Sequence, residues 1–189
     1  IIPYAATMSE SRYAQLDLSR FSMLREELMK GLKEGAIGIG LAHQYSPGVN
    51  EREVYDVFNF AAEEETIIFT HVRSSEPLAM QEVIADAVLT GTSLHIVHVN
   101  AMALGNIDMI LDMISKAQSN GFDISTEAYP YTAASTSLQS ALFDEGWQND
   151  FGVGYEALQW VETGERLNEE TFNLYRARGG QVIIHMMQD

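Results

Sequence analysis

Two histidines stand where α/β chains most readily build chemistry. His71 closes the run Ile67-Ile68-Phe69-Thr70-His71, and His98 closes Leu94-His95-Ile96-Val97-His98, 27 residues later. Each run reads as a short buried strand, so each imidazole is expected at a strand's carboxyl end, one βα unit from the other. That edge is where α/β folds assemble their sites. Two neutral imidazoles in matching positions can converge on one metal ion, and zinc takes nitrogen ligands. Hydrogen-bonded core histidines would show the same residues, and the pattern alone leaves both readings open.

Other polar residues cluster at the same expected edge. Arg73 shares the face of His71 by strand alternation and could grip a carboxylate bidentately, or serve as a surface or helix-capping arginine. Glu127 and Tyr129 end the run Phe122–Ala128 and its extension. Tyr129 could donate to an oxyanion or amide, or Tyr129-Pro130-Tyr131 could simply shape a rigid turn. Glu127 reads as an orienting partner or an ordinary paired acid. His95, three residues from His98, is expected on the opposite face, beneath a helix. His43, just past the first strand on the same rim, and His185, near the end of the last, read as structural or solvated. Ser135, Thr136 and Ser137 have no adjacent base, which argues against a nucleophile.

The elements that must position these residues alternate regularly. Apolar runs at Ala36–Leu41, Ile67–Val72, Leu94–Val99, Phe122–Ala128 and Gln181–Met186 read as strands. Phe21, Leu24, Leu28 and Leu32 follow a helical period that Gly35 stops. Asn50 and Glu53 form a capping-box pattern, and Pro77 opens a helix that Gly91 closes. Asn106 is expected to cap a helix ending at Asn120-Gly121, and a last helix runs from near Asn168 to Gly179-Gly180. Strand centres near Ile37, Ile68, Ile96 and Ile124 lie 31, 28 and 28 residues apart, the pitch of consecutive βα units. Such units form an open doubly wound sheet or a (β/α)8 barrel, and the length by itself favours the open sheet. Thr132–Leu167 loses the periodicity and reads as an insertion or long loop.

Composition removes several classes. Among 189 residues, 11 Lys and Arg against 27 Asp and Glu give a formal charge of −16. Nucleic-acid backbones and anionic membranes recruit clustered cations, so neither is an expected partner. The absence of cysteine excludes disulfides and thiolate metal sites within the chain. No apolar run approaches a membrane span, no signal peptide opens the chain, and the cytoplasm is the expected location. The length suits one compact unit. Walker A, nucleophile-elbow and dinucleotide motifs are absent; the glycines of Gly35–Gly40 precede Leu41 rather than open a helix.

Taken in order, several stretches resemble the D-aminoacylase (N-acyl-D-amino-acid deacylase) branch of the amidohydrolase superfamily. They are Glu34–Gly40 with Tyr45-Ser46-Pro47-Gly48, Thr70-His71-Val72-Arg73, Ile96-Val97-His98-Val99, Glu127–Ala133 and Thr163–Leu167. The resemblance implies an internal segment of a metal-bearing (β/α)8 TIM barrel, covering roughly strands four to seven and beyond. It overrides the length argument for an open sheet. It implies His71 and His98 as zinc ligands, Arg73, Asn100, Tyr129 and Ser135 as substrate-binding positions, and Thr132–Leu167 as an excursion over the strand ends in which Ser135 and Trp147 tune substrate preference. Many members carry His-x-Lys where this chain has His98-Val99-Asn100, which points away from an ordinary N-acyl-D-amino acid. The implied reaction is metal-assisted hydrolysis of a small-molecule amide, with the general base and remaining ligands outside this segment. Self-association, or the rest of the barrel, would cover the open strand edges. The alternative is a non-catalytic α/β scaffold or binding module with structural histidines.

Overall fold

A computed structural model describes residues 2–3 and 12–185. It divides into two compact units, Ile1–Tyr129 and Pro130–Asp189, where one was expected. Each has its own hydrophobic cluster, which is the physical reason for the division.

The first unit is a five-stranded parallel sheet in the order β1-β2-β3-β4-β5, with β1 Ile2–Pro3, β2 Gly38–Ala42, β3 Ile67–His71, β4 Leu94–Ile96 and β5 Ile124–Thr126. Helices α1 (Leu18–Lys33), α2 (Glu51–Glu63) and α3 (Pro77–Thr90) alternate with β2, β3 and β4 as the βα pitch requires. Asp17 caps α1 by accepting from the Arg20 backbone N–H, and Asn50 caps α2 by accepting from that of Glu53. Pro77 fills the first turn of α3, and Gly91 ends it in the left-handed region. Between β4 and β5 lie a short helix α4 (Val99–Ala103), a 3-10 turn (Leu104–Asn106) and α5 (Ile107–Ser119).

The expected capping role of Asn106 is not taken up. Because the chain enters α5 from a 3-10 turn, its side chain is free to donate to the Ser75 carbonyl at 3.4 Å. Strand β4 also stops sooner than its apolar run, at Ile96 rather than Val99. His98 then adopts φ +36°, ψ +54° and leads into α4.

Register makes the two faces of the sheet different. Ile39, Ile68, Leu94 and Ile124 form one cross-strand row, at most 3% exposed, packed with Leu24, Leu28, Val57 and Val83 of the helices. Alternation places Gly40, Phe69, His95 and Ser125 in a row on the opposite face, where they are half-buried. His95 thus faces away from the helix-covered core, contrary to expectation, because its register partners are Phe69 and Ser125. Its Nδ1 shares a 2.9 Å hydrogen bond with the Ser125 hydroxyl.

The second unit contains β6 (Ala134–Ser137), α6 (Trp147–Phe151), β7 (Leu158–Trp160), α7 (Glu169–Arg178) and β8 (Gln181–Ile184). β8 does not continue the parallel sheet; it pairs antiparallel with β6 and β7 in a separate three-stranded sheet. A four-residue apolar run is compatible with either pairing, and its partners lie in the stretch expected to be a loop. Met186, the expected end of that run, lies outside the described residues. Asn168 and Thr171 form a reciprocal capping box on α7.

Trp147 is a core residue rather than a substrate-tuning one. It is 5% exposed, stacks on Phe172 with centroids 5.4 Å apart and meets Phe143 edge-on at 5.5 Å. Trp147→Ala should cost the second unit ~3–5 kcal/mol in denaturant unfolding, the usual range for a buried tryptophan. A loss below about 1 kcal/mol, the scale of a surface change, would contradict this packing.

Candidate metal centre at the strand ends

Strands β2, β3 and β4 bring their carboxyl ends to one edge, and three histidines gather there. His71 is the last residue of β3 and pairs in register with Ala42. His98 lies two residues beyond β4, turned by its left-handed backbone, a conformation uncommon outside glycine. The two rings come together at a centroid distance of 4.8 Å, tilted by 49°. Tyr45 packs against the other side of His71 at 5.0 Å, and the Tyr129 ring lies 6.2 Å from that of His98.

Backbone hydrogen bonds fix the turn that carries His98. The Val97 N–H donates to the Thr70 carbonyl, and that of Val99 donates to the Glu127 carbonyl. The His98 N–H donates to Glu127 Oε1 at 3.2 Å. Glu127 is therefore tied to the backbone of His98, and its charge opposes the downward push that burial gives the imidazole.

Two of the expected substrate contacts are engaged within the protein. The Arg73 guanidinium donates to both carboxylate oxygens of Glu82, at 3.1 and 2.7 Å, and to the Val49 carbonyl. Its fork already holds a carboxylate. Asn100 donates from Nδ2 to the Tyr129 carbonyl at 3.0 Å and accepts from the Tyr129 N–H at 3.2 Å. Its amide thus acts as an extra peptide group beside Tyr129. Ser135 sits exposed on β6 in the second unit, paired with Ile183.

Of the two readings the sequence left for His43, the structure shows the structural one, buried rather than solvated. His43 opens a 3-10 turn immediately after β2, is 1% exposed, and has no hydrogen-bond partner for either ring nitrogen among the described residues. Burial first, then the nearby Arg73 charge, pushes it down to about 3. Burial, then His98, then His43 push His71 down to about 3. The signal in the sequence was its place one residue past a strand whose neighbour ends in His71. His185, in the second unit, shares a hydrogen bond with Gln159 Oε1 and borders an open groove of about 880 Å³ with Arg166 and Asn149.

The donor set fits part of a zinc shell. His71 and His98 are held neutral by burial, which keeps ring lone pairs available, and His71 Nδ1 is buried without a hydrogen bond among the described residues. No three His, Asp or Glu side chains gather as a ligand group among the described residues. Two imidazoles therefore supply half of a tetrahedral site.

The same burial predicts a pH dependence. His43 and His71 are neutral in the folded chain down to about pH 3 but take a proton at the usual value of 6.5 when unfolded. Stability is thus complete above pH 6.5 and falls as the pH drops toward 3. Asp86, raised by burial and Glu82 to about 6 from 3.8, works in the opposite sense over a narrower range. The two histidines should prevail, so urea midpoints should decline between pH 6.5 and 4, and His43→Gln should flatten the decline. A midpoint that rises on acidification would contradict the neutral buried pair.

No protein-family model matches the chain, and no curated protein does. Solved structures do match. An N-acyl-D-glutamate deacylase from Bordetella bronchiseptica, complexed with zinc and a phosphonate mimic of the tetrahedral intermediate, aligns at TM-score 0.76 and 20% identity. The match covers 98% of this chain and 42% of that one. A D-aminoacylase structure concerned with the role of its binuclear metal centre aligns at TM-score 0.77, with the same identity and coverage. So does a D-aminoacylase said to define a novel subset of amidohydrolases, at TM-score 0.76. The chain spans about two-fifths of the length of the solved structures it matches. Over nearly all of its own length, it has the fold of that portion of these amidohydrolases.

Proposed function

We propose that the chain is a segment of a metal-dependent hydrolase of amide C–N bonds, similar to N-acyl-D-amino-acid deacylases, and that its parallel sheet is part of a (β/α)8 barrel. The observation that carries this reading is the pairing of the His71 and His98 rings, 4.8 Å apart, at the carboxyl edge of adjacent parallel strands. These two side chains would hold zinc. When bound there, zinc supplies Lewis acidity toward an amide carbonyl and toward water.

The chain's own residues bind and orient. Tyr129, whose phenol burial keeps protonated, would donate to a substrate oxygen, and Asn100 fixes the backbone from which it projects. Arg73, which joins Glu82 to the Val49 carbonyl, is a proposed substrate contact at the same rim. Ser135 is a proposed substrate contact by its position in the resemblance alone. We read the substrate as a small-molecule amide and the protein as a cytoplasmic one. No helix among the described residues is long and apolar enough to cross a membrane.

Calorimetric titration of the chain with zinc, alongside light scattering and an N-acyl-D-amino-acid hydrolysis assay, tests the reading. The chain should bind zinc, and His71→Ala or His98→Ala should weaken binding by at least roughly tenfold, as for loss of a metal-site partner. It should self-associate through its sheet edges and show no turnover alone. Zinc binding indifferent to both substitutions would favour the non-catalytic module, in which these histidines are structural.

A further inference from the structure

His43 is the group in the first unit whose chemistry the proposed function leaves unused. It is 1% exposed, and both of its ring nitrogens are buried with no hydrogen-bond partner among the described residues. Buried polar groups in native proteins are nearly always satisfied, so such a ring calls for a partner that accepts or donates at nitrogen. An apolar side chain of similar size would fill the space without that demand.

The neighbour with a matching demand is His71. Ala42 pairs in register with His71, so His43 leaves β2 beside the end of β3. His71 Nδ1 is also buried and unbonded among the described residues. The rest of that ring is packed, with Tyr45 at 5.0 Å and His98 at 4.8 Å. Two neutral imidazoles at neighbouring strand ends, each with an unmet nitrogen, can satisfy one another through a single buried water, since each ring offers one donor and one acceptor.

We propose that His43 is a positioning residue for His71: it receives the His71 Nδ1–H through a buried water and so fixes the tautomer that leaves Nε2 free for a metal ion. Metal-ligating histidines generally tie their second nitrogen to a fixed partner, most often a carboxylate or carbonyl. Here a second imidazole takes that place. The inference rests on the reading of His71 as a ligand.

Long-range 1H–15N correlation on the labelled, metal-free chain at neutral pH reads the tautomer directly. His71 should be the Nδ1–H form in the native chain and in His43→Gln, and a mixture in His43→Phe. Zinc affinity should fall roughly 10- to 100-fold in His43→Phe and return in large part in His43→Gln. An Nε2–H tautomer in the native chain would overturn the proposal, and needs no variant to fold. Equal zinc affinity in the native chain and a folded His43→Phe would overturn it too. An Nδ1–H tautomer with no zinc binding would uphold the pairing of the two histidines and sink the ligand reading instead.

Discussion

Burial of the row Ile39, Ile68, Leu94 and Ile124 beneath the helices is the constraint from which the rest of the first unit follows. Side chains alternate along a strand, so sealing these positions against the helices commits residues 67, 69 and 71 to the other face. A slip of one residue in β3 would place His71 among the helices and Thr70 at the edge facing His98. Hydrophobic register thus fixes the face on which the His71 ring stands, and the left-handed turn at His98 brings the second ring to it.

Much of this unit could be read from residues alone because periodicity is a local property. The helical period of Leu24 and Leu28, the cap at Asn50, Pro77 at a helix start and Gly91 at its end all appear where the pattern puts them. What escaped was set by contacts distant in sequence. Nothing local says that β8 pairs with β6 and β7, because a short apolar run fits either kind of sheet. Trp147 reads as a loop aromatic until Phe143, Tyr155 and Phe172 are seen to surround it.

The site shows the same division. His71 and His98 meet as expected, but not through matched register: β3 and β4 pair so that His71 falls beside Val97, and the left-handed turn at His98 brings its ring across. The partners of Arg73 and Asn100 could not be foretold, since Glu82 lies nine residues on and Tyr129 twenty-nine. In both cases a side chain suited to a ligand's polar group is engaged by the protein's own. The Arg73 fork meets a carboxylate on a neighbouring helix, nine residues away, and ties the chain at the end of β3 to that helix.

The backbone at His98 carries an evolutionary consequence. A left-handed φ of +36° suits glycine or asparagine better than a side chain as bulky as imidazole. Folding alone would therefore draw this position toward those residues, and the ring stands there against the preference of its own main chain. Were the demand on that ring relaxed, drift would run downhill in conformational energy, and the histidine would be among the first residues a lineage lost. A descendant with Gly or Asn at this position would keep the turn into the short helix and the architecture around it. Its fold would then be unchanged, with one ring of the pair gone.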